Sequence, residues 1–169
     1  MVKTPASMQH FLKTHNTLNE EIRQKSVALL NTHLAAAIDL HAQVKQAHWN
    51  VRGAGFMAIH LLFDTVSGEV EEWSDMLAER DGQLGGSAQG TVQVVAAKSF
   101  LVPYPLSLAP VKEHVFAIAS ALAAFGQSTR EAIDTSDDNK DMVTADLFTE
   151  ISRGIEKQLW FVESHITLP

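Results

Sequence analysis

Four long stretches of this sequence repeat apolar residues at intervals of three and four, and this periodicity restricts the fold more than any other feature. Residues at that spacing share one face of an α-helix and form a continuous stripe. No strand-like alternation of any length is present, so the sequence predicts an all-α protein. The first stripe comprises Val27, Leu30, Leu34, Ala37, His41, Val44 and His48, and the second comprises Phe56, Ile59, Phe63, Val66, Val70, Trp73 and Leu77.

The predicted helix boundaries arrange these stretches as a bundle with one long crossover. The first helix begins at Glu20 and ends near "VRGAG"; the others cover 54–81, 107–134 and 138–165. Two links are short, so the helices that they join should be antiparallel neighbours, whereas 82–105 can return the chain along a helix about 42 Å long. Four helices with one long crossover form the ferritin-like topology, and "TVQVVAAK" predicts a short helix within that crossover. We expect an N-terminal arm over 1–19 and one ferritin-like four-helix bundle domain over 20–169.

Composition fits a single globular domain and excludes several kinds of site. The 169 residues are 46% hydrophobic and 20% charged, which is typical of a folded domain with a substantial core. Because cysteine is absent, disulfides, thiolate metal sites and cysteine nucleophiles are excluded. The formal net charge of −7 repels DNA phosphate and attracts cations. The sequence shows neither an apolar signal segment nor a membrane span, and we expect a soluble, cytoplasmic protein without a membrane partner.

The second predicted helix carries two pairs of metal-ligating residue types on one stripe. His60 and Asp64 are four residues apart, as are Asp75 and Glu79, so the members of each pair share a face. The eleven residues from Asp64 to Asp75 correspond to about three full turns, which places both pairs on the same side. His60 and Asp75, however, are separated by about 22 Å along the helix axis. One helix cannot bring both pairs to one metal ion.

An antiparallel copy of the same helix would bring the two pairs together. It would place His60 and Asp64 of one chain opposite Asp75 and Glu79 of the other, with Gly68 next to the midpoint, where closely crossing helices need a small side chain. His48, at the end of the first helix, can fold back over the short turn onto His60. Mixed imidazole and carboxylate ligands suit divalent iron and also zinc. Redox chemistry would select iron.

Each of these residues also has an ordinary structural interpretation. Charges beside an apolar stripe are commonly a solvated face, and for Asp75 and Glu79 alone this is the favoured interpretation. A histidine on the stripe, such as His48, is commonly a hydrogen-bonded core residue. Against this, Met57 and Leu61 extend the apolar surface of the second helix, which favours burial in an oligomer. No glutamate is followed by histidine at the third position, which argues against a di-iron site within one bundle.

Three segments resemble the Dps family, the DNA-binding proteins from starved cells. They are "KQAHWNVRG", "DMLAERDGQLGG" and "TADLFTEISRGIEKQLWFVESH", and the resemblance covers roughly residues 20–166. It implies a hollow dodecamer that oxidises ferrous iron with hydrogen peroxide at sites between two-fold-related subunits, stores ferric mineral and protects against oxidative damage. The family's ferroxidase ligands match this sequence without substitution, at His48, His60, Asp64, Asp75 and Glu79.

The resemblance also assigns roles outside the ligand set. Trp49, beside the first histidine, would quench stray radicals, although packing at a helix end is at least as good an explanation. Acidic residues at the start of the fourth helix would line three-fold pores that admit iron, and the candidates are Asp141, Asp146 and Glu150. Acids at a helix start also cap it and complement its dipole.

DNA binding is the least supported of the family's activities. The N-terminal arm offers only Lys3 and Lys13 as basic side chains, with His10 and His15. Twelve chains of −7 would together carry −84. We expect weak or absent DNA binding at neutral to alkaline pH. A nucleoid-compacting protein with a secondary metal site is the alternative function, and a helical bundle without chemistry is the third; the roles of His33 and His41 stay open.

Overall fold

The computed structural model describes residues 11–166, which contain five helices and no strand. They are α1 (Glu20–Asn50), α2 (Phe56–Gln83), α3 (Val92–Lys98), α4 (Val111–Asp138) and α5 (Met142–Glu163). The contacts are most extensive between α1 and α2 and between α4 and α5, and α3 packs on α1 within the crossover. The predicted four-helix bundle with a short helix in its long crossover is therefore confirmed. No helix of this described part is long and apolar enough to cross a membrane.

The core is built from the predicted apolar stripes. Phe63 of α2, Phe125 of α4 and Phe148 of α5 are completely buried, together with aliphatic side chains from all four long helices. Burying one such side chain stabilises the fold by about 1.5–3 kcal/mol. His33 also lies in the core, where its ring contacts Phe148 and its Nδ1 donates to the carbonyl of Leu29 at 2.9 Å. It is thus a hydrogen-bonded core histidine, and burial lowers the pKa of its ring.

The turn between α1 and α2 depends on glycine. Gly53 and Gly55 adopt φ angles of 114° and 79°, in the region that side chains with a Cβ atom disfavour. Their conformation reverses the chain within five residues, so α2 runs back along α1. This reversal places the end of α1, with its histidine, against the start of α2.

Three predicted boundaries are shifted by four residues. The third bundle helix begins at Val111 rather than 107, because Pro110 is in an extended conformation and occupies the N-cap position. It continues to Asp138, and the next helix begins only at Met142. Lys140, with φ of 66°, interrupts the helical path between them. Sequence periodicity does not locate the boundary between these two helices, because residues 134–141 are all polar and carry no apolar stripe.

The crossover is attached to α1 by a buried polar cluster. Asn31 donates to Oδ2 of Asp81 at 2.5 Å and to the carbonyl of Ser87 at 3.3 Å, and its own carbonyl oxygen accepts from the backbone of Gln89 at 2.7 Å. A Cβ at Gly86 would lie 2.5 Å from Oδ1 of Asp81, so only glycine fits there. These contacts determine where the chain leaves the end of α2.

Candidate metal centre

His48 and His60 form a stacked pair across the α1–α2 turn. Their ring centroids are 3.8 Å apart and the ring planes differ by 20°. Nδ1 of His48 lies 2.8 Å from the carbonyl oxygen of His60, and Nδ1 of His60 lies 3.0 Å from the carbonyl oxygen of His48. The two residues, twelve apart in sequence, therefore hold one another in place by reciprocal bonds.

These bonds determine the tautomer of both rings. A carbonyl oxygen can only accept a hydrogen bond, so each Nδ1 must carry the proton. In the neutral rings each Nε2 then has a free lone pair, which is the form of imidazole that binds a metal ion. A hydrogen bond at the second ring nitrogen is the usual way in which proteins orient a histidine ligand. The pair is thus prepared to coordinate a divalent cation without rearrangement of its rings.

Asp64 is the third predicted ligand on this side, and it lies beside the pair. Its Oδ1 is 4.0 Å from Nε2 of His48 and 2.8 Å from Nζ of Lys45. The hydrogen bond and positive charge of Lys45 lower the pKa of the Asp64 carboxyl. Lys45 was not identified from the sequence, although it lies one helical turn before His48. It holds the carboxylate next to the histidines and also occupies one of its oxygens.

Asp75 and Glu79 lie on the exposed surface of α2, well away from the histidine pair. The fifteen residues between His60 and Asp75 correspond to about 22 Å of helix. Within residues 11–166 of a single chain, no three metal-ligating side chains converge. The five predicted ligands therefore do not surround one metal ion within a single chain.

Exposed apolar side chains flank the histidine pair on both helices. Trp49, Met57 and Leu61 are 63%, 60% and 57% exposed. Gly68 lies on the exposed side of α2, and a Cβ added there would meet nothing within 4 Å. Exposed apolar side chains grouped around polar ones are typical of a protein interface. Trp49 does not pack on the core of its own chain.

The three acids predicted to line a pore occupy different environments. Asp146 and Glu150 are exposed on α5, one turn apart, as a pore lining would require. Asp141 is instead 2% exposed, and its carboxylate accepts from Arg80 at 3.0 Å, from Ser26 at 2.7 Å and from the backbone of Thr144 at 3.1 Å. Asp141 therefore faces the interior, caps α5 and balances a buried guanidinium, and it is unavailable to a pore.

The electrostatics of Asp141 support this structural role. Burial alone would raise the pKa of its carboxyl, but the hydrogen bonds from Thr144 and Ser26 and the charge of Arg80 outweigh burial and lower it. The carboxylate is thus charged at neutral pH. Sequence spacing alone could not distinguish the structural role of Asp141 from the exposed position of Asp146, since both lie close to the start of the same helix.

Only part of the N-terminal arm is described. Lys13 and His15 are exposed, and the backbone amide of Leu12 donates to the carbonyl of Gly85 at 2.8 Å. Lys3 and His10, also assigned to the arm, lie outside the described residues. Lys13 is thus the one predicted DNA contact whose position is described.

Comparison with known proteins places the whole bundle in one family. A family model described as a ferritin-like domain matches residues 27–168, which include every predicted ligand. A DNA protection during starvation protein from Agrobacterium fabrum is 39% identical over 158 residues, or 92% of this chain and 98% of that relative. Among solved structures, DpsC from Streptomyces coelicolor has a TM-score of 0.89 at 31% identity and covers 98% of both chains. Dps from Microbacterium arborescens in the high iron form has a TM-score of 0.82 at 33% identity, with 88% and 97% covered.

Proposed function

This chain belongs to the Dps family of ferritin-like proteins, and on that premise we propose that it oxidises ferrous iron with hydrogen peroxide and stores the ferric product inside a hollow homo-oligomer. Family membership supports an iron-storage or ferroxidase type of protective role. The finer statements, on the oxidant, the shared site and the dodecamer, are the content of the proposal. Iron here is substrate and cargo.

The observation that carries the proposal is the preparation of the histidine pair for metal binding. Both Nδ1 atoms are occupied by reciprocal bonds to main-chain carbonyls, which leaves both Nε2 atoms as ligands. A pair of core histidines does not require this arrangement, because either ring nitrogen can satisfy a structural hydrogen bond. Imidazole nitrogen with carboxylate oxygen is a donor set that ferrous iron accepts.

A second subunit would supply the remaining carboxylates. Two α2 helices crossing antiparallel near Gly68 bring Asp75 and Glu79 of the partner to the histidines and Asp64 of the first chain. A two-fold axis makes the two sites equivalent and about 22 Å apart. The exposed side chains of Trp49, Met57 and Leu61 would be buried by the same contact.

The reaction consumes peroxide without releasing a radical when two ferrous ions react together. Each ion gives one electron, the O–O bond breaks, and two protons convert the oxygen atoms to water, so that two ferric ions and two water molecules result. Few protein ligands leave coordination positions open for the oxidant. The acids Asp146 and Glu150 on α5 would attract the incoming cations at a pore.

Mixed assembly of two inactive variants tests whether the site is shared. One variant carries His48→Ala and His60→Ala; the other carries Asp75→Asn and Glu79→Gln. Each variant alone should lose rapid peroxide-dependent iron oxidation. The oxidation is measured as the rise in ferric absorbance when peroxide is added after anaerobic loading with ferrous iron. When both are co-expressed and pair at random, half of the two-fold dimers contain one of each, and one site in each mixed dimer is intact. About a quarter of wild-type sites should return.

The matched control co-expresses the histidine variant with a second variant that carries Asp64→Asn. Asp64 lies on the same side as the histidines, so every mixed dimer then lacks a complete site and no activity should return. A site formed within single chains predicts no recovery in either mixture. Recovery in both mixtures would place the oxidation site elsewhere in the assembly.

Zinc takes the same ligand types but has no redox chemistry, so it should inhibit iron oxidation by the wild type.

A further inference from the structure

Tyr104, the only tyrosine in the sequence, makes a short hydrogen bond to a histidine outside the candidate metal centre. Its hydroxyl oxygen lies 2.5 Å from Nδ1 of His114 near the start of α4, and the two rings lie 20° from parallel. His114 is 1% exposed. Tyr104 is half-buried at the edge of an apolar cavity of about 610 Å³ between the crossover and α4.

The direction of this bond depends on the tautomer of His114. Burial lowers the pKa of His114 and outweighs the nearby carbonyl of Leu108, the charge of Glu113 and the carbonyl of Asn50, which favour protonation of the ring. Nε2 has no hydrogen-bond partner of good geometry within residues 11–166. We assign the ring proton to Nε2 and the acceptor role to Nδ1, the tautomer in which the Tyr104 hydroxyl donates its proton along this bond.

Burial raises the pKa of Tyr104 to about 12, so that ionisation to water is unfavourable. Loss of an electron, by contrast, makes a phenol strongly acidic. Oxidation of Tyr104 is therefore coupled to proton transfer, and the imidazole nitrogen at 2.5 Å is placed to receive that proton.

The pair lies beside the turn that carries an exposed tryptophan. The backbone amide of Arg52 donates to the carbonyl of Ala109 at 3.0 Å, and that of Val111 donates to the carbonyl of Arg52 at 3.1 Å. These bonds attach the turn after α1 to the start of α4. Trp49, 63% exposed, immediately precedes Asn50, whose carbonyl lies near the His114 ring.

We propose that Tyr104 and His114 form a redox-active pair that receives oxidising equivalents from Trp49. A hydroxyl radical that takes an electron from the indole becomes hydroxide. The indole regains an electron from Tyr104, whose O–H proton passes to Nδ1 of His114. The products are a neutral phenoxyl radical and an imidazolium. Ferrous iron then returns one electron to the phenoxyl, the proton returns from Nδ1 to the oxygen, and one ferric ion is formed.

The biological source of radicals rests on the proposed function, because a ferrous ion that reacts with peroxide singly, without a second ferrous ion, would generate a hydroxyl radical. The electron-transfer step can be measured without iron. Pulse radiolysis of the assembled, metal-free protein with azide radicals oxidises exposed indoles. The indolyl absorbance should decay while the phenoxyl absorbance rises with the same first-order rate, independent of protein concentration. That rate should fall in heavy water, since a proton moves with the electron.

Tyr104→Phe keeps the ring and should abolish the phenoxyl signal completely, with a longer-lived indolyl radical. Trp49→Phe should lower the phenoxyl yield. Its matched control is Trp160→Phe, which removes an equally exposed indole (62%) from α5 and should leave the phenoxyl yield unchanged. A wild-type protein without phenoxyl, or a rate unchanged in heavy water, overturns the pair. A loss of yield in the Trp160 variant instead of the Trp49 variant overturns the assigned path. Failure of the ferroxidase proposal would leave all of these results unchanged, because no iron is present.

Discussion

At the scale of single residues, protonation in this protein is determined by individual contacts. Main-chain carbonyls hold the protons of His48 and His60 on Nδ1 and so prepare both Nε2 atoms. Lys45 lowers the pKa of Asp64 through a hydrogen bond and its charge. Asp81 shows the opposite case, since its burial raises the pKa to about 6 despite the bond from Asn31. In each case the neighbouring groups, rather than the residue type alone, determine where the proton lies or in which direction the pKa moves.

Asp81 should make stability fall as pH rises through the weakly acidic range. Its folded pKa lies above the ordinary value of about 3.9, so its contribution is fully present below pH 4 and is lost as pH rises through about 6. Asparagine does not titrate, so in Asp81→Asn the free energy of unfolding should lack the pH-dependent contribution of this carboxyl. The difference between wild type and variant should change by on the order of 2–3 kcal/mol between pH 4 and pH 7.

Urea unfolding at one fixed protein concentration measures this difference, because assembly makes stability depend on concentration. Comparison with the variant removes the effect of Asp64 and Asp141, whose lowered pKa values act in the opposite direction. Parallel pH profiles for the two proteins would mean that Asp81 is not the titrating group.

At the scale of elements, helix ends decide what the acidic residues of α5 do. The break at Lys140 brings Asp141 to the N-cap position, where its side chain turns inward toward Arg80 of α2. One turn later, Asp146 points outward. Five residues of sequence thus separate a structural carboxylate from one that is available to cations.

Asp141→Asn and Asp146→Asn should separate stability from iron uptake. The first leaves the buried Arg80 without its counter-ion and should destabilise the protein by about 3–5 kcal/mol. The second changes an exposed residue, so stability should stay within about 0.5 kcal/mol of wild type. Uptake of ferrous iron should slow in the Asp146 variant at low ionic strength, because negative potential is removed from the proposed pore.

Urea unfolding and the rate of iron incorporation, measured on both variants, check this pair of expectations. Raising the ionic strength should reduce the difference in uptake between wild type and Asp146→Asn. Identical uptake rates at low salt would restrict Asp146 to a role within α5.

At the scale of the whole molecule, an acidic body carries a sparsely basic arm. The formal charge of −7 per chain opposes contact with DNA phosphate. Exposed Lys13 and His15 lie in the described part of the arm. Many arms on one oligomer can nevertheless add weak contacts into measurable binding.

DNA binding should therefore be weak or absent near pH 8 at physiological salt and should grow as pH and salt fall. Histidines gain charge below their ordinary pKa of about 6.5, and each phosphate contact releases counter-ions. Deletion of residues 1–15 should remove the remaining binding and leave iron oxidation unchanged. A gel-shift series over pH and salt on the intact and truncated proteins measures this. Tight binding at pH 8 in moderate salt would instead favour nucleoid compaction as the main function.

The helices, their apolar stripes and the exposed side of α2 on which the candidate ligands lie were predictable from sequence. All of them depend on spacing along one helix, and the helical repeat converts spacing into a shared face. The turn at "VRGAG" was also predictable from local sequence, because its glycines can take the positive φ angles that the turn requires. The proposal of a site shared by two chains also came from sequence, because fifteen residues of helix are too long for one metal site.

Contacts between distant segments were decided only by the tertiary structure. The reciprocal bonds of His48 and His60, the inward turn of Asp141 to Arg80 and the bond from Tyr104 to His114 each depend on which side chains the packed helices bring within 3 Å. Residue spacing restricts the face on which a side chain lies, but not the partner that packing places opposite it. Hydrogen bonds and pKa values respond to that partner at short range, so they follow from the packed bundle and not from the repeat.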